Sequence, residues 1–369
     1  MASPQPILIA GAGPAGLAAA LTVAKAGRQA VVYERHPEVA SRFHGDFQGI
    51  ENYSTRGDAL EELRAIGIEP DFEVTPFPEA VIYDDRGREF RYRGSAPLFY
   101  MIRRGTEPGM LDARLKAQAL AAGVEIRFRQ PFPANAVGDG GPPPVLATGP
   151  RGSYAIVVGY IFRTSLPDMV LGSLADDLAP KGYAYLVTHG GIGTIASCLF
   201  TDLPNYQRYL DRTVEFYRSR VGVELCDARR FGGYGMVRME RTAQSPAGLL
   251  AGEAAGFQDA LWGFGLRYAM GSGHLAAASI LEGDPASYDR RWQRRFRGLI
   301  QSSFVNRYFY ERLGNRGYRV FLSRLSASSD ARAWLHNHYA SSAWKSLFFR
   351  LIARRSRRFG TIVTLPAQS

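Results

Sequence analysis

A glycine-rich turn between a short apolar run and an alanine-rich segment constrains the fold of this chain most strongly. Gly11, Gly13 and Gly16 follow the apolar residues 6–10, and Glu34 ends the next apolar run. In a strand–turn–helix unit, Gly11 permits the tight turn, Gly13 lets the backbone approach a pyrophosphate, and Gly16 lets the helix lie close to the sheet. The helix N-terminus offers N–H groups to the phosphates, and an acid about 20 residues past the turn accepts hydrogen bonds from a ribose. The motif therefore predicts a Rossmann-type unit that binds a dinucleotide.

Composition and the cysteine pattern exclude several other classes of protein. The chain has 369 residues, 46% of them hydrophobic, which is enough for two or three packed lobes. Its two cysteines, Cys198 and Cys226, form no CxxC pair and no ligand cluster, so neither a disulfide framework nor a metal site is expected. The sequence has no run of about 18 apolar residues, and its first residues lack the basic start of a secretory signal. We therefore expect a cytoplasmic protein.

The positive charge of the chain is concentrated in residues 286–369. The net charge is +11, yet the surplus of Arg and Lys over acids in residues 286–358 exceeds that figure. Residues 290–297 and 344–358 interleave aromatic residues with arginines, which is typical of an amphipathic helix that lies peripherally on the anionic inner face of a membrane. A helical lobe that packs on the core and exposes a basic side explains the pattern equally well. Nucleic acid is not an expected partner, because no recognised binding module accompanies the charge.

A second glycine-rich segment lies far downstream of the first. It begins with Gly252 and Glu253 and continues through residues 263–266 into a helical stretch. Gly263 and Gly265 would let the backbone approach a flat ring, and the helix N-terminus would face the ring edge that becomes negative on reduction. Glu253 can accept a hydrogen bond from a ribityl hydroxyl. An NAD-binding domain has no need of this second site, so the segment indicates FAD.

Together the two segments resemble the motifs of the geranylgeranyl reductase family, which belongs with the glutathione-reductase-type FAD enzymes and the aromatic hydroxylases. The similarity is carried by residues 252–256, 263–266 and 269–277, and extends to residues 103–104, 111–112, 147–149 and 182–185. The resemblance implies these FAD-binding residues: Gly11, Gly13, Pro14, Ala15, Gly16, Glu34, Arg35, Arg104, Gly149, Gly252, Glu253, Gly263, Phe264, Gly265 and Leu266.

The chain also departs from the family pattern in four places. Glu253 replaces the usual Asp, the loop at 258–260 has no proline, and residues 147–149 replace the Asp-Gly motif of many relatives. Residues 43–47 replace a cysteine-bearing loop. The change at 147–149 weakens the similarity to the hydroxylase branch, where the Asp-Gly motif also serves nicotinamide docking.

The order of apolar runs and turns predicts an α/β fold: a discontinuous Rossmann-type FAD-binding domain, an inserted, mostly antiparallel β substrate domain and a C-terminal helical region. The FAD-binding domain is assigned to residues 1–75, 100–150 and 230–285. The substrate domain is assigned to 76–99 and 151–229, and the basic helical region to 286–369. Residues 84–87 predict a hairpin turn, whereas residues 41–53 are expected to form a loop.

The resemblance implies an FAD-dependent oxidoreductase that reduces or dehydrogenates carbon–carbon bonds of an isoprenoid or other lipophilic substrate by hydride transfer at flavin N5. A monooxygenase of the same superfamily is the alternative, and a non-catalytic flavoprotein scaffold is a third hypothesis. Candidate proton donors are His44, Tyr183 and Tyr185, while Trp262 and Phe264 are expected to wall the ring. No second glycine-rich βαβ unit is present, so NAD(P)H docking transiently, or a ferredoxin, is expected to supply electrons. The sequence predicts no particular oligomeric state.

Overall fold

A computed structural model describes residues 5–133, 141–150, 152, 154–238 and 242–355 of the chain. The strands are β1 (Ile7–Ala10), β2 (Ala30–Glu34), β3 (Phe47–Glu51), β4 (Val74–Phe77), β5 (Glu79–Asp84), β6 (Glu89–Arg93), β7 (Phe99–Arg103), β8 (Glu125–Phe128), β9 (Val145–Leu146), β10 (Ala155–Arg163), β11 (Met169–Leu174), β12 (Tyr183–His189), β13 (Ile192–Leu199), β14 (Cys226–Gly235), β15 (Gln244–Ser245) and β16 (Gly248–Leu250). The helices are α1 (Pro14–Lys25), α2 (Ala59–Ala65), α3 (Leu111–Ala121), α4 (Tyr206–Val221), α5 (Leu266–Leu281), α6 (Ser287–Trp292), α7 (Gly298–Ser326), α8 (Ala331–Tyr339) and α9 (Ala343–Arg355).

A six-stranded sheet forms the nucleotide-binding half of the fold. Its order is β15-β16-β9-β1-β2-β8, and all neighbours are parallel except β15 and β16. Helix α1 packs against α5. A Cβ at Gly16 would lie 1.9 Å from the Gly11 carbonyl oxygen, and one at Gly273 would lie 2.0 Å from the carbonyl oxygen of Ala15. These glycines therefore permit the close approach of strand and helices, and the predicted α/β class with a Rossmann-type sheet is confirmed.

A seven-stranded sheet forms the second layer, in the order β14-β10-β13-β12-β11-β5-β6. Its neighbours are antiparallel except β5 and β11. Helix α4 covers one face, where Leu210 and Tyr217 pack against the buried Leu186 of β12. Side chains alternate along a strand, so Tyr183 and Tyr185 of β12 point to the opposite face. Strand β14 continues to Gly235, so this sheet extends past residue 229, where the predicted substrate domain ends.

A three-stranded sheet, β3-β7-β4, joins the two layers. Its strand β3 corrects the prediction of a loop over residues 41–53, because Phe47–Glu51 pairs along its whole length with β7. The polar residue Gln48 and Gly49 interrupt the apolar pattern that would have indicated a strand. At Gly49 the backbone of β3 approaches the Phe264 ring closely, since a Cβ would lie 2.8 Å from a ring atom.

The C-terminal helices pack on the core through their inner side. A π-helical turn at Gln293–Arg297 joins α6 to α7, and α7 is broken at Gly314, whose φ is +51°. Arg307 of α7 is fully buried; it donates to the carbonyl oxygen of Leu261 at 3.0 Å and lies 3.4 Å above the ring of Phe200. Much of the basic region is therefore a packed lobe. None of the described helices is both long and apolar enough to cross a membrane.

Candidate active site

A cavity of about 750 Å³ lies between the parallel sheet and the seven-stranded sheet. One end is formed by residues that follow β1, β2, β9 and β16, which is the carboxyl edge of the parallel strands. Open α/β sheets bind their ligands at this edge. The other end is walled by residues of β7 and of the strands β10, β11, β12, β13 and β14. The volume falls in the usual range for sites that bind small molecules.

The first end of the cavity is built on the N-terminus of α1. Gly13 is the N-cap residue, and no side chain caps the free N–H groups of the first turn. A Cβ at Gly13 would meet no atom within 4 Å, so the backbone here faces open space. The Glu34 carboxylate accepts the N–H of Ala12 at 2.9 Å and that of His36 at 2.8 Å. These bonds fix the carboxylate beside the turn and leave it further lone pairs for ribose hydroxyls.

The N-terminus of α5 opens into the same cavity. Gly265 is its N-cap residue, again with no side-chain cap. Gly263 has a φ of +80°, and a Cβ there would meet no atom within 4 Å. Trp262 and Phe264 line the cavity beside these glycines. The backbone of Gly263 and Gly265 and the positive end of the α5 dipole therefore face the same part of the cavity, beside the two aromatic residues.

FAD fits this arrangement, because two uncapped helix N-termini and two open glycine backbones face a single cavity. The α1 N-terminus and Gly13 would hold the pyrophosphate, and Glu34 would hold the ribose. Gly263, Gly265 and the N-terminus of α5 would lie along the edge of the ring.

Two arginines supply positive charge at the middle of the cavity. Arg42 forms an ion pair with Glu253 at 3.3 Å, and Arg104 lies buried nearby. Burial raises the pKa of Glu253, and the charges of Arg42 and Arg104 oppose that rise. Burial likewise raises the pKa of Asp46, which accepts a hydrogen bond from Gln48 at 2.8 Å. The site therefore holds carboxyl groups in an environment that disfavours their charge.

The second end of the cavity is apolar and aromatic. It is lined by Phe99, Met101, Val170, Val187 and Phe231. Tyr183 and Tyr185 project into the same region. The Tyr183 hydroxyl donates to the carbonyl oxygen of Trp262 at 2.6 Å, which ties β12 to the loop before α5. Burial raises the pKa of both tyrosines well above the usual value, so their hydroxyls stay protonated at neutral pH.

The structure brings nearly all of the predicted site residues to this cavity. Of the predicted cofactor-binding residues, every one except Gly16 lines it, and Gly16 lies behind the turn against Gly11. Tyr183 and Tyr185 line it as well. His44 does not: its side chain is exposed, and its backbone N–H points to Asp46 at 3.3 Å. The structure thus separates His44 from the other two candidate proton donors.

Arg42, Asp46 and Gln48 are among the polar residues that line the cavity and that the sequence motifs did not single out. All three lie in residues 41–53, whose sequence pattern predicts a loop. The density of charged and amide side chains around its glycines was the available signal. Their partners, such as Glu253 for Arg42, are distant in the sequence and become neighbours only in the fold.

Comparison with known proteins agrees with this geometry. A family model described as an FAD binding domain matches residues 6–47. Digeranylgeranylglycerophospholipid reductase 2 of Methanopyrus kandleri is 31% identical over 124 residues, which cover 33% of this chain and 27% of that protein. The aligned stretch therefore spans about a quarter of the length of this curated relative.

Two solved structures share the whole architecture. A geranylgeranyl bacteriochlorophyll reductase-like protein from Thermoplasma acidophilum has a TM-score of 0.70 at 19% identity, covering 97% of this chain and 98% of that chain. A flavin-dependent brominase has a TM-score of 0.66 at 17% identity, covering 95% and 99%. At these identities the likeness establishes the fold. Both glycine motifs thus face one cavity, residues 6–47 match an FAD binding domain, and the chain has the fold of the geranylgeranyl reductase-like protein.

Proposed function

We propose that this chain uses FAD to reduce, or in the reverse direction to dehydrogenate, carbon–carbon bonds of an isoprenoid or other lipophilic substrate. The observation that carries the proposal is the apolar second end of the cavity, which adjoins the loop of Trp262 and Phe264. A lipophilic chain would displace water from this wall and lie next to the ring that the loop borders. The curated relative from Methanopyrus kandleri is named as a reductase of a geranylgeranyl lipid, which supports the same substrate class.

The protein's own contribution would be binding, orientation and exclusion of water. Bound FAD supplies hydride transfer, and the protein positions the acceptor carbon against it. The N-terminus of α5 would stabilise negative charge on the ring edge without reorganisation during the reaction. The apolar second end of the cavity would hold the substrate and exclude water from the reacting carbons.

The second reacting carbon needs a proton, and Tyr185 is the residue to which we assign this step. The Tyr183 hydroxyl already donates to the carbonyl oxygen of Trp262, so its proton is engaged. The Tyr185 ring lies 6.2 Å from that of Tyr183 on the same face of β12 and lines the cavity. Its raised pKa keeps the hydroxyl protonated until a carbanion-like carbon develops beside it.

The electron donor in this proposal is a transient partner, either NAD(P)H or a ferredoxin. The described cavity has one pyrophosphate-type turn, at Gly11–Gly16, which FAD would occupy. A second nucleotide would therefore bind without a glycine turn of its own, or electrons would arrive from a protein.

Anaerobic turnover of the FAD-loaded protein tests this function. The protein is reduced with dithionite, mixed with a polyprenyl lipid, and the products are analysed by mass spectrometry. The proposal predicts reoxidation of the flavin only when lipid is present, with a gain of two hydrogen atoms per double bond. A product that gains one oxygen atom, formed only in air, would instead support the monooxygenase. A chain that takes up no FAD would exclude both enzymes.

A further inference from the structure

The outer side of helix α9 exposes a row of large apolar side chains. Trp344, Leu347 and Leu351 are 55%, 60% and 47% exposed. Their spacing of three and four residues places them on one face of the helix. The opposite face is accounted for, since Ile352 is buried and Phe349 packs against Phe304 at 5.7 Å. The exposed row is therefore additional to the contacts that hold α9 in place.

Helix α7 extends this apolar row. The Phe309 ring stacks on that of Phe348 at 5.2 Å and 12°, and Gly298 of α7 lies against Ser341, just before α9. The two helices therefore run side by side in the same direction. Phe309 is 39% exposed and Leu313, one turn further along α7, is 58% exposed. We call the set Phe309, Leu313, Trp344, Leu347 and Leu351 the outer apolar face.

Exposed arginines lie next to the outer apolar face along helices α7 and α9. Arg312, Arg316 and Arg350 are exposed, and within the described part of the chain none of them forms an ion pair with an acid. Glu311 is the acid next to them in sequence, and it is bound by the buried Arg307 at 3.0 Å. Beyond the break in α7, Arg316 and Arg324 line a shallow groove with Ser323. The exposed apolar side chains are thus bordered by cations whose charge the described residues do not neutralise.

From this juxtaposition we infer that the outer apolar face is a docking site for the surface of an anionic membrane. Leucine and tryptophan side chains would enter the boundary between headgroups and acyl chains, and the bordering arginines would contact the lipid phosphates. A second copy of the chain would bring like charges together across a twofold axis, which opposes self-association. Nucleic acid would use the arginines but would leave the leucines in water.

Helix α7 lies between the outer apolar face and the loop that borders the cavity. Tyr310, next to Phe309 in sequence but on the inner side of α7, packs with its ring 5.3 Å from that of Trp262. Arg307 binds the carbonyl oxygen of Leu261 in the same loop. Helix α7, which would contact lipid through its outer side, thus also supports the loop of Leu261 and Trp262 beside the cavity. This arrangement suits a substrate that is drawn from a membrane. The inference concerns binding alone and goes beyond the proposed function.

Vesicle flotation with the FAD-loaded full-length chain tests the inference. Vesicles of phosphatidylcholine with phosphatidylglycerol are compared with vesicles of phosphatidylcholine alone, at low and high salt. We expect binding to the anionic vesicles, weakened by salt and by omission of the anionic lipid. The double variant Leu347→Ser/Leu351→Ser should bind the anionic vesicles at least about tenfold more weakly, because two apolar side chains no longer leave water. Arg312→Glu/Arg350→Glu should remove the salt-sensitive part.

Matched controls separate this surface from general effects of substitution. Leu120→Ser removes a leucine that is 50% exposed on α3, and Arg229→Glu reverses an exposed charge on β14. Both controls should bind like the parent. Equal binding by all variants would overturn the inference. The inference would also be overturned if light scattering showed a dimer of the parent that Leu347→Ser/Leu351→Ser does not form. The outer apolar face would then be an interface between copies of the chain. Turnover is not measured, so failure of the proposed reaction would leave this result intact.

Discussion

The guanidinium of Arg104 and the carboxylate of Asp112 form a buried bidentate pair. Arg104 Nε donates to Asp112 Oδ2 at 2.7 Å, and Nη2 donates to Oδ1 at 2.8 Å. The Phe43 ring covers the guanidinium at 4.0 Å, and Nη1 donates to Gln48 at 3.2 Å. A cation is thereby fixed at the cavity wall in one orientation, since its nitrogens are satisfied by the protein.

Asp112→Ala should destabilise the protein severely. The substitution leaves the Arg104 charge buried without its partner, and breaking a buried pair in this way costs about 3–5 kcal/mol. Asp71→Ala is the matched control, because it breaks the solvent-accessible pair with Arg114, and exposed pairs contribute far less to stability than buried ones. Urea denaturation of the FAD-free protein measures both. Similar losses in the two variants would contradict the assignment of a strong buried pair.

Substitution by alanine should affect stability at one glycine of the first motif and FAD binding at another. A Cβ at Gly16 would lie 1.9 Å from the Gly11 carbonyl oxygen, so Gly16→Ala should lower the melting temperature of the FAD-free protein. Gly13 has a φ of −81° and open space around it, so Gly13→Ala should leave that temperature unchanged. Its methyl group would instead occupy the pyrophosphate position and weaken FAD binding about tenfold or more. Thermal unfolding and flavin titration check both; normal FAD affinity in Gly13→Ala would place the pyrophosphate elsewhere.

The parts of the site that are local in sequence were predictable, because each rests on chemistry within a few residues. Gly11, Gly13 and Gly16 specify a turn and a helix start by themselves, and the same is true of Gly263 and Gly265. The fold class followed from these two motifs together with the apolar runs between them.

The parts that depend on pairing across the chain were not predictable. Strand β3 is a strand because β7 pairs with it, while its own residues include Gln48 and Gly49. Arg42 meets Glu253 only when the loop after β2 lies against the segment after β16. His44 shows the converse: its residue type suggested proton transfer, but the turn at Gly45, with φ +94°, leaves its side chain exposed.

The two cavity tyrosines should separate proton transfer from loop support. Tyr185→Phe should lower kcat by about 10²–10⁴ and leave FAD affinity unchanged, because only the proposed proton donor is lost. Tyr183→Phe removes the hydrogen bond to the Trp262 carbonyl oxygen, so it should weaken FAD binding by a few fold with a smaller loss of kcat. The measurements are kcat with its solvent isotope effect and FAD titration. An equal fall of kcat in both variants would contradict the assignment to Tyr185.

Asp259→Asn should change how stability depends on pH. Burial raises the pKa of Asp259 from 3.8 to about 7, opposed by the hydrogen bond from the Trp262 N–H and augmented by the charge of Glu51. The backbone N–H of Trp262 donates to Asp259 Oδ2 at 2.6 Å. Among the described residues, Asp259 Oδ1 has no hydrogen-bond partner although it is buried. Tyr53, Tyr268 and Tyr339 surround the group, and each has its pKa raised by burial.

The sign of the effect follows from the raised pKa. Between pH 3.8 and about 7 the folded protein holds a proton on Asp259 that the unfolded chain has lost, so this stabilisation is complete below pH 3.8 and is lost as the pH rises through 7. The amide that Asp259→Asn introduces cannot ionise, so the variant should lose roughly 2–4 kcal/mol less between pH 5 and pH 8 than the parent does. Glu51, whose pKa burial also raises against the charge of Arg267, would retain its own pH dependence. Urea denaturation across this range measures the slope, with the exposed Asp227→Asn as control. Parallel curves for parent and Asp259→Asn would mean that Asp259 is ionised in the folded protein at pH 5.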